Sequence, residues 1–180
     1  MHGCGNVGAT VAKELVKRGA NVLTYDIDAS RANLPGCRNI SQYEKWWATK
    51  CDAIVPCSAS GLYTTERAAE LNCAFLVGAT NLPFASEEAR DVAEGERGVI
   101  FVPEGITSAG AVIVDSIEHF ANDAFCTAAP QDLYDFTKQV VFKKTYAACL
   151  VPRPYHSLEP SFRLSSEVLA RALSPGLTRV

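Results

Sequence analysis

The sequence predicts an α/β fold: a parallel sheet with helices on both faces, a truncated first strand and a helical C-terminal tail. Two observations predict it. Between residues 6 and 122, short apolar segments of strand length alternate with segments of helical period. That is the pattern of βαβ units, whose helices cover both faces of one sheet. Beyond Asn122 the strand-like segments stop and only helical periodicity continues. The expected division is a domain over 1–122 and a helical segment over 123–180 that packs on it.

The elements follow in order. Residues 6–18 read as a helix, with Val7, Val11, Ala12 and Leu15 on one face and Lys13, Glu14, Lys17 and Arg18 on the other. Gly19 ends it, as glycine does just past a helix. Residues 21–25 read as a strand that stops at Asp26, and the polar stretch 28–36 as a turn closed by Pro35-Gly36. Ser41 is placed to cap a short helix through Lys50. Strands are expected at 52–57, 74–79 and 98–103. A helix from Thr64 or Thr65 through Leu71 separates the first two. A second, which Ser86 caps ahead of Glu87 and Glu88, separates the last two. Helices over 108–122 and 130–150 follow. The prolines at 152 and 154 break the chain, and a last helix covers about 161–173. Two residues precede Gly3, so the first strand is expected to be short, as in a fragment or after a misplaced start, or to be supplied by another segment.

A chain of 180 residues suffices for one domain, or one with a small appendage. A net charge of −3 argues against a broad basic surface for nucleic acid. No apolar run reaches the roughly eighteen residues that would suggest a membrane span. The seven cysteines are odd in number and form no C-x-x-C pair, which argues against a disulfide framework or a structural zinc. A reducing, cytoplasmic setting is expected, with a missing N-terminal targeting segment left open. Most of the cysteines lie in apolar runs and are expected to behave as small buried hydrophobes.

The strongest local signal is Gly3-Cys4-Gly5-Asn6-Val7-Gly8. Gly3 permits a tight turn off the first strand. Gly5 lets a pyrophosphate approach the backbone, and Gly8 lets the helix pack closely on the sheet. The free N–H groups and positive end of the helix would then face the phosphates. A helix follows at once, then a strand, and Asp26 ends that strand eighteen residues after Gly8. This is the spacing of a Rossmann-type unit with a ribose-binding carboxylate. A carboxylate there repels a 2′-phosphate and favours NAD over NADP, while Arg31 nearby tempers that preference. The plain alternatives are a βαβ turn with an empty site, and Asp26 as a strand-end turn residue.

Three further segments narrow the family. Residues 51–58 (Cys-Asp-Ala-Ile-Val-Pro-Cys-Ser) resemble the D-I-x-x-P-C-A strand of the glutamate, leucine, phenylalanine and valine dehydrogenases. Residues 78–83 (Gly-Ala-Thr-Asn-Leu-Pro) resemble that family's A-x-N-x-x strand end, and 103–112 its P-D-x-x-x-N-A-G-G-V segment. With G-x-G-N-V-G they stand in the family's order and spacing, covering residues 1 to 122 well and the tail loosely. The resemblance implies oxidation of an amino acid to a 2-oxo acid and ammonia, with hydride passing to NAD. It implies that Gly3–Gly8 hold the pyrophosphate and Asp26 the adenosine ribose. Cys57 and Ser58 would lie beside the cofactor, and Asn81 would reach the nicotinamide ribose or the substrate. A core thiol is the alternative for Cys57, and a turn residue for Asn81.

Two departures bear on the substrate side. Ser108 stands where the family has asparagine, with a shorter reach. Asp115 stands where relatives place small or apolar residues, and a carboxylate there would repel an acidic substrate; solvent exposure is its alternative. The family's catalytic lysine and aspartate belong to a separate N-terminal domain, and Lys13, Lys17 and Asp28 are not placed to replace them. The leading expectation is therefore the NAD-binding domain of an amino-acid dehydrogenase, lacking the catalytic domain, that binds NAD and shows no turnover alone. A small amino acid would be the substrate once that domain is supplied, and a homo-oligomer is compatible. The second reading is a non-catalytic NAD-sensing module. The third is a poorly folding relic, in which a missing central strand leaves unpaired backbone on its two neighbours.

Overall fold

In a computed structural model that describes residues 1–150, the shortest segment of the sheet is its centre. The carbonyl of Met1 accepts from the Tyr25 N–H at 2.9 Å, and the Gly3 N–H donates to the Tyr25 carbonyl at 2.9 Å. On the other side, the His2 N–H donates to Val55 at 3.0 Å and the His2 carbonyl accepts from Cys57 at 2.7 Å. Both pairings are parallel. The expected gap between the two neighbouring strands is therefore filled at this level, and those backbone groups are paired.

Around this segment lie β1 (Val22–Thr24), β2 (Cys37–Asn39), β3 (Ala53–Ile54), β4 (Phe75–Val77) and β5 (Ile100–Val102). β1 pairs with β2, and β3, β4 and β5 pair in sequence, all parallel. With Met1–Gly3 bridging the two groups, the order across the sheet is β2, β1, Met1–Gly3, β3, β4, β5. The chain winds outward one way, returns to the centre, and winds outward the other way. Ligands bind such sheets at the point of reversal, outside the carboxyl ends of the strands.

The helices are α1 (Asn6–Lys17), α2 (Thr65–Ala69), α3 (Glu87–Asp91), α4 (Glu104–Thr107), α5 (Gly110–Phe120), α6 (Asn122–Thr127) and α7 (Pro130–Leu150). Thr64 and Ser86 cap α2 and α3 by accepting from the N–H groups of Arg67 and Ala89. The core gathers Ile54, Leu76 and Phe101 from the sheet with Trp46, Tyr63, Leu71 and Val99. No helix among the described residues is long and apolar enough to cross a membrane.

Several expectations need correction. β2 was hidden in polar sequence, because its position is set by pairing with β1 rather than by its own hydrophobicity. Ser41 caps no helix: its hydroxyl accepts from the Asp26 N–H at 3.2 Å, and only a single 3₁₀ turn, Trp46–Ala48, forms downstream. The helix expected over 108–122 forms as α5, Gly110–Phe120, with a short α4 that was not expected before it and α6 beginning beyond a break at Ala121. Val7 lies outside the core, 55% exposed on the first turn of α1, whereas Gly8 and Ala12 are buried. Of the cysteines, Cys4 is buried, Cys126 is exposed, and Cys37, Cys51, Cys57 and Cys73 are half-buried. The helix expected at 161–173 lies outside the described residues.

Candidate functional site at the carboxyl edge of the sheet

The turn between the central segment and α1 is shaped by three glycines with different constraints. Gly3 has φ +86°, and a Cβ there would lie 2.6 Å from the Cys57 carbonyl oxygen. At Gly8 a Cβ would lie 1.8 Å from the carbonyl oxygen of Gly3. These two glycines are demanded by the fold. Gly5 is not: its φ of −69° suits any residue, and a Cβ there would meet nothing within 4 Å beyond the adjoining chain. Gly5 caps α1 with no side chain accepting from the first-turn amides. Gly5, Asn6 and Val7 are exposed, so the positive end of a twelve-residue helix opens to the surface there.

Asp26 braces this turn. One carboxylate oxygen accepts from the Cys4 N–H at 2.7 Å and the other from the Asp28 N–H at 3.0 Å. Cys4 points inward, its Sγ 3.6 Å from the Tyr25 carbonyl oxygen. Burial, reinforced by the Asp26 charge, pushes its thiol up to about 11, so it stays protonated and unreactive at neutral pH. The Cys57 thiol is likewise raised by burial.

Cys57 and Ser58 contact the glycine turn from β3, as the clashes built at Gly3 and Gly8 show. Ser58 is also tied to the loop after β4. The Thr80 hydroxyl accepts from the Ser58 N–H at 2.8 Å and donates to the Ser58 carbonyl at 3.1 Å. Asn81 follows on the exposed edge. α4 closes this end: the Thr107 hydroxyl donates to the Gly78 carbonyl at 2.6 Å, and the Ser108 hydroxyl lies 3.5 Å from the Ala79 carbonyl. The glycine turn, Asp26, Cys57, Ser58, Asn81 and Ser108 thus share one edge. Asp115 is not joined to it by any hydrogen bond. It lies exposed on α5, beside Glu118, His119 and Asn122, in an open concavity of about 550 Å³.

Sequence reasoning missed four contributors. His2 is buried under the edge, its Nε2 3.1 Å from the Ser58 hydroxyl and its ring 4.0 Å from that of Trp46. Burial pushes its pKa down to about 4, so it is neutral at pH 7. Thr80 ties two loops, and Glu104 accepts from the Leu82 N–H at 2.9 Å. Gly78 passes so close to β3 that a Cβ would lie 2.2 Å from the Pro56 carbonyl oxygen. Only Gly78 carried a signal, as a glycine directly after an apolar strand. Among the described residues no group of three or more His, Cys, Asp or Glu side chains could hold a metal ion.

The fold and this edge define an α/β protein built around a parallel sheet, with an unobstructed glycine turn at its point of reversal. The model of the Glutamate/Leucine/Phenylalanine/Valine dehydrogenase family matches residues 26–151. The chain belongs to that family. It is 25% identical over 120 residues to a leucine dehydrogenase of Thermoactinomyces intermedius, covering 63% of this chain and 31% of that one. It is 32% identical over 90 residues to an NAD-specific glutamate dehydrogenase of Clostridioides difficile, covering 50% of this chain and 21% of the other. The crystal structure of L-tryptophan dehydrogenase from Nostoc punctiforme superposes with a TM-score of 0.66 at 17% identity, over 81% of this chain and 43% of that one. The chain spans less than half the length of each.

Proposed function

We propose that this chain is the C-terminal, Rossmann-type NAD-binding domain of an amino-acid dehydrogenase, with the dinucleotide held along the carboxyl edge of the sheet. Residues 1–122 form that domain, and a helical segment, described as far as Leu150, follows it. The observation that carries the reading is Gly5. The fold requires no glycine there, by backbone angle or by packing, so the missing side chain leaves room for something outside the protein. A diphosphate fits, because the uncapped first-turn amides of α1 and the helix dipole face that space. The family membership and the strand order support the same reading.

NAD, when bound, supplies the hydride acceptor. The chain's own residues bind and orient. Gly3 and Gly8 hold the turn, and the amides of Asn6 and Val7 would donate to phosphate oxygens. The Asp26 carboxylate already accepts two backbone N–H groups and has lone pairs left for ribose hydroxyls. Ser58 and Asn81 present polar groups further along the edge, beside Cys57. Ser108 and Asp115 are the substrate-side candidates, with Asp115 disfavouring an acidic substrate. The catalytic lysine and aspartate that the family resemblance implies would come from a separate domain, so the chain alone is expected to bind NAD without turning over an amino acid.

The test separates binding from folding. Gly5→Ala adds a methyl group where no packed neighbour beyond the adjoining chain lies within 4 Å. It is expected to leave the melting temperature unchanged while weakening NADH binding at least about tenfold, the cost of displacing one or two charge-assisted hydrogen bonds. Unaltered NADH affinity in Gly5→Ala would count against the site.

A further inference from the structure

Leu82 is the one non-glycine residue with positive φ among the described residues, at +47°. The left-handed region brings Cβ close to the backbone and disfavours a branched aliphatic residue, where glycine or asparagine sits easily. Hydrogen bonds from both neighbouring loops hold it there. Its N–H donates to Oε1 of Glu104 at 2.9 Å, and its carbonyl accepts from the Gly61 N–H at 2.9 Å. The next carbonyl, of Pro83, accepts from the Tyr63 N–H at 3.1 Å. Gly61 belongs to the loop after β3 and Glu104 to the segment after β5, so the connections from three adjacent strands meet on this residue.

The fold gains little from the leucine side chain itself, which is 71% exposed. A strained position, clamped from two sides and carrying an exposed apolar group, is the kind of feature that ligand handling retains. Its location narrows the ligand. A dinucleotide lies across the point of reversal with one nucleotide on each side. Asp26 marks the side of β1 and β2, and Leu82 lies on the side of β3, β4 and β5. An apolar side chain suits the face of a planar ring rather than a phosphate or a sugar.

We propose that Leu82 contacts the nicotinamide ring of the bound dinucleotide, and that Glu104 is the positioning residue that holds Leu82 in its left-handed conformation. This rests on the reading of the edge as an NAD site. Glu104 acts through its acceptor oxygen, so glutamine, which keeps that oxygen, substitutes for it and alanine does not.

The experiment titrates the full chain with NADH and, separately, with ADP-ribose, which has the diphosphate and both riboses but no nicotinamide. Leu82→Gly relieves the backbone and is expected to keep or raise the melting temperature. It should weaken NADH about three- to tenfold, the loss of one partly buried leucine contact, and leave ADP-ribose binding unchanged. Glu104→Ala should reproduce the selective loss, and Glu104→Gln should restore wild-type NADH affinity. If the wild type binds both ligands and Leu82→Gly binds NADH equally well, the contact is overturned while the NAD site stands. An equal loss for ADP-ribose overturns it as well, because the effect is then not on the ring. A wild type that binds neither ligand overturns both the contact and the site.

Discussion

The sheet half of the molecule, residues 1–102, and the helical half, 104–150, differ in what holds them. Every buried residue but Thr137, among those described, lies at or before Val102. α4, α5 and α6 contain none. Both halves were read from the same kind of apolar periodicity. That periodicity reports a face that can be buried, and it does not report whether the face finds a partner. In the sheet half each helix meets a strand a few residues later, so local pattern and tertiary packing agree. In the helical half Val112, Phe120, Tyr134, Phe136 and Phe142 stand exposed.

That contrast can be broken by mutation. Gly8→Ala forces a Cβ to 1.8 Å from the Gly3 carbonyl oxygen. It is expected to cost more than about 3 kcal/mol, beyond ordinary overpacking, because the obstacle is backbone; a urea titration would read it as loss of the folded baseline. Leu76→Ala, at a fully buried position in β4, should cost about 3 kcal/mol. Phe120→Ala, at 83% exposure on α5, should stay within about 0.5 kcal/mol. Comparable losses at Leu76 and Phe120 in chemical denaturation would mean that the helical half is packed in solution.

An effect larger than that at Phe120 comes from pH. His2 has its pKa lowered from 6.5 to about 4, mainly by burial, with Asp26 opposing. The unfolded chain therefore binds a proton that the folded chain refuses between these values. Stability from this group is fully present above about pH 6.5 and is lost as the pH falls toward 4, by roughly 2 to 3 kcal/mol on the order of the linkage relation. Urea midpoints at pH 7.5 and 4.5 should differ in that direction, and a His2→Gln variant should show a smaller difference. An unchanged midpoint in the wild type would mean that His2 is not shielded as described.

What could be read from sequence follows the same division. The glycine turn, α1, β1 and Asp26 were legible because one short segment carries the whole geometry. The placement of Cys57, Ser58 and Asn81 at strand ends was legible from β3 and β4. β2 was not, since its Arg38 and Asn39 are polar and partner pairing alone defines it. His2, Thr80 and Glu104 were not either. Each acts on a residue more than twenty positions away, and no local spacing encodes such a contact. α4 escaped notice because its four residues, 104–107, are too few to carry a helical period.

The Thr80 hydroxyl engages both the amide and the carbonyl of Ser58, so one oxygen atom rivets two loops that leave the sheet on different strands. Neither loop can slide without carrying the other. A molecule that grips the turn near Ser58 would therefore also bear on the loop that carries Asn81, the residue next to Thr80.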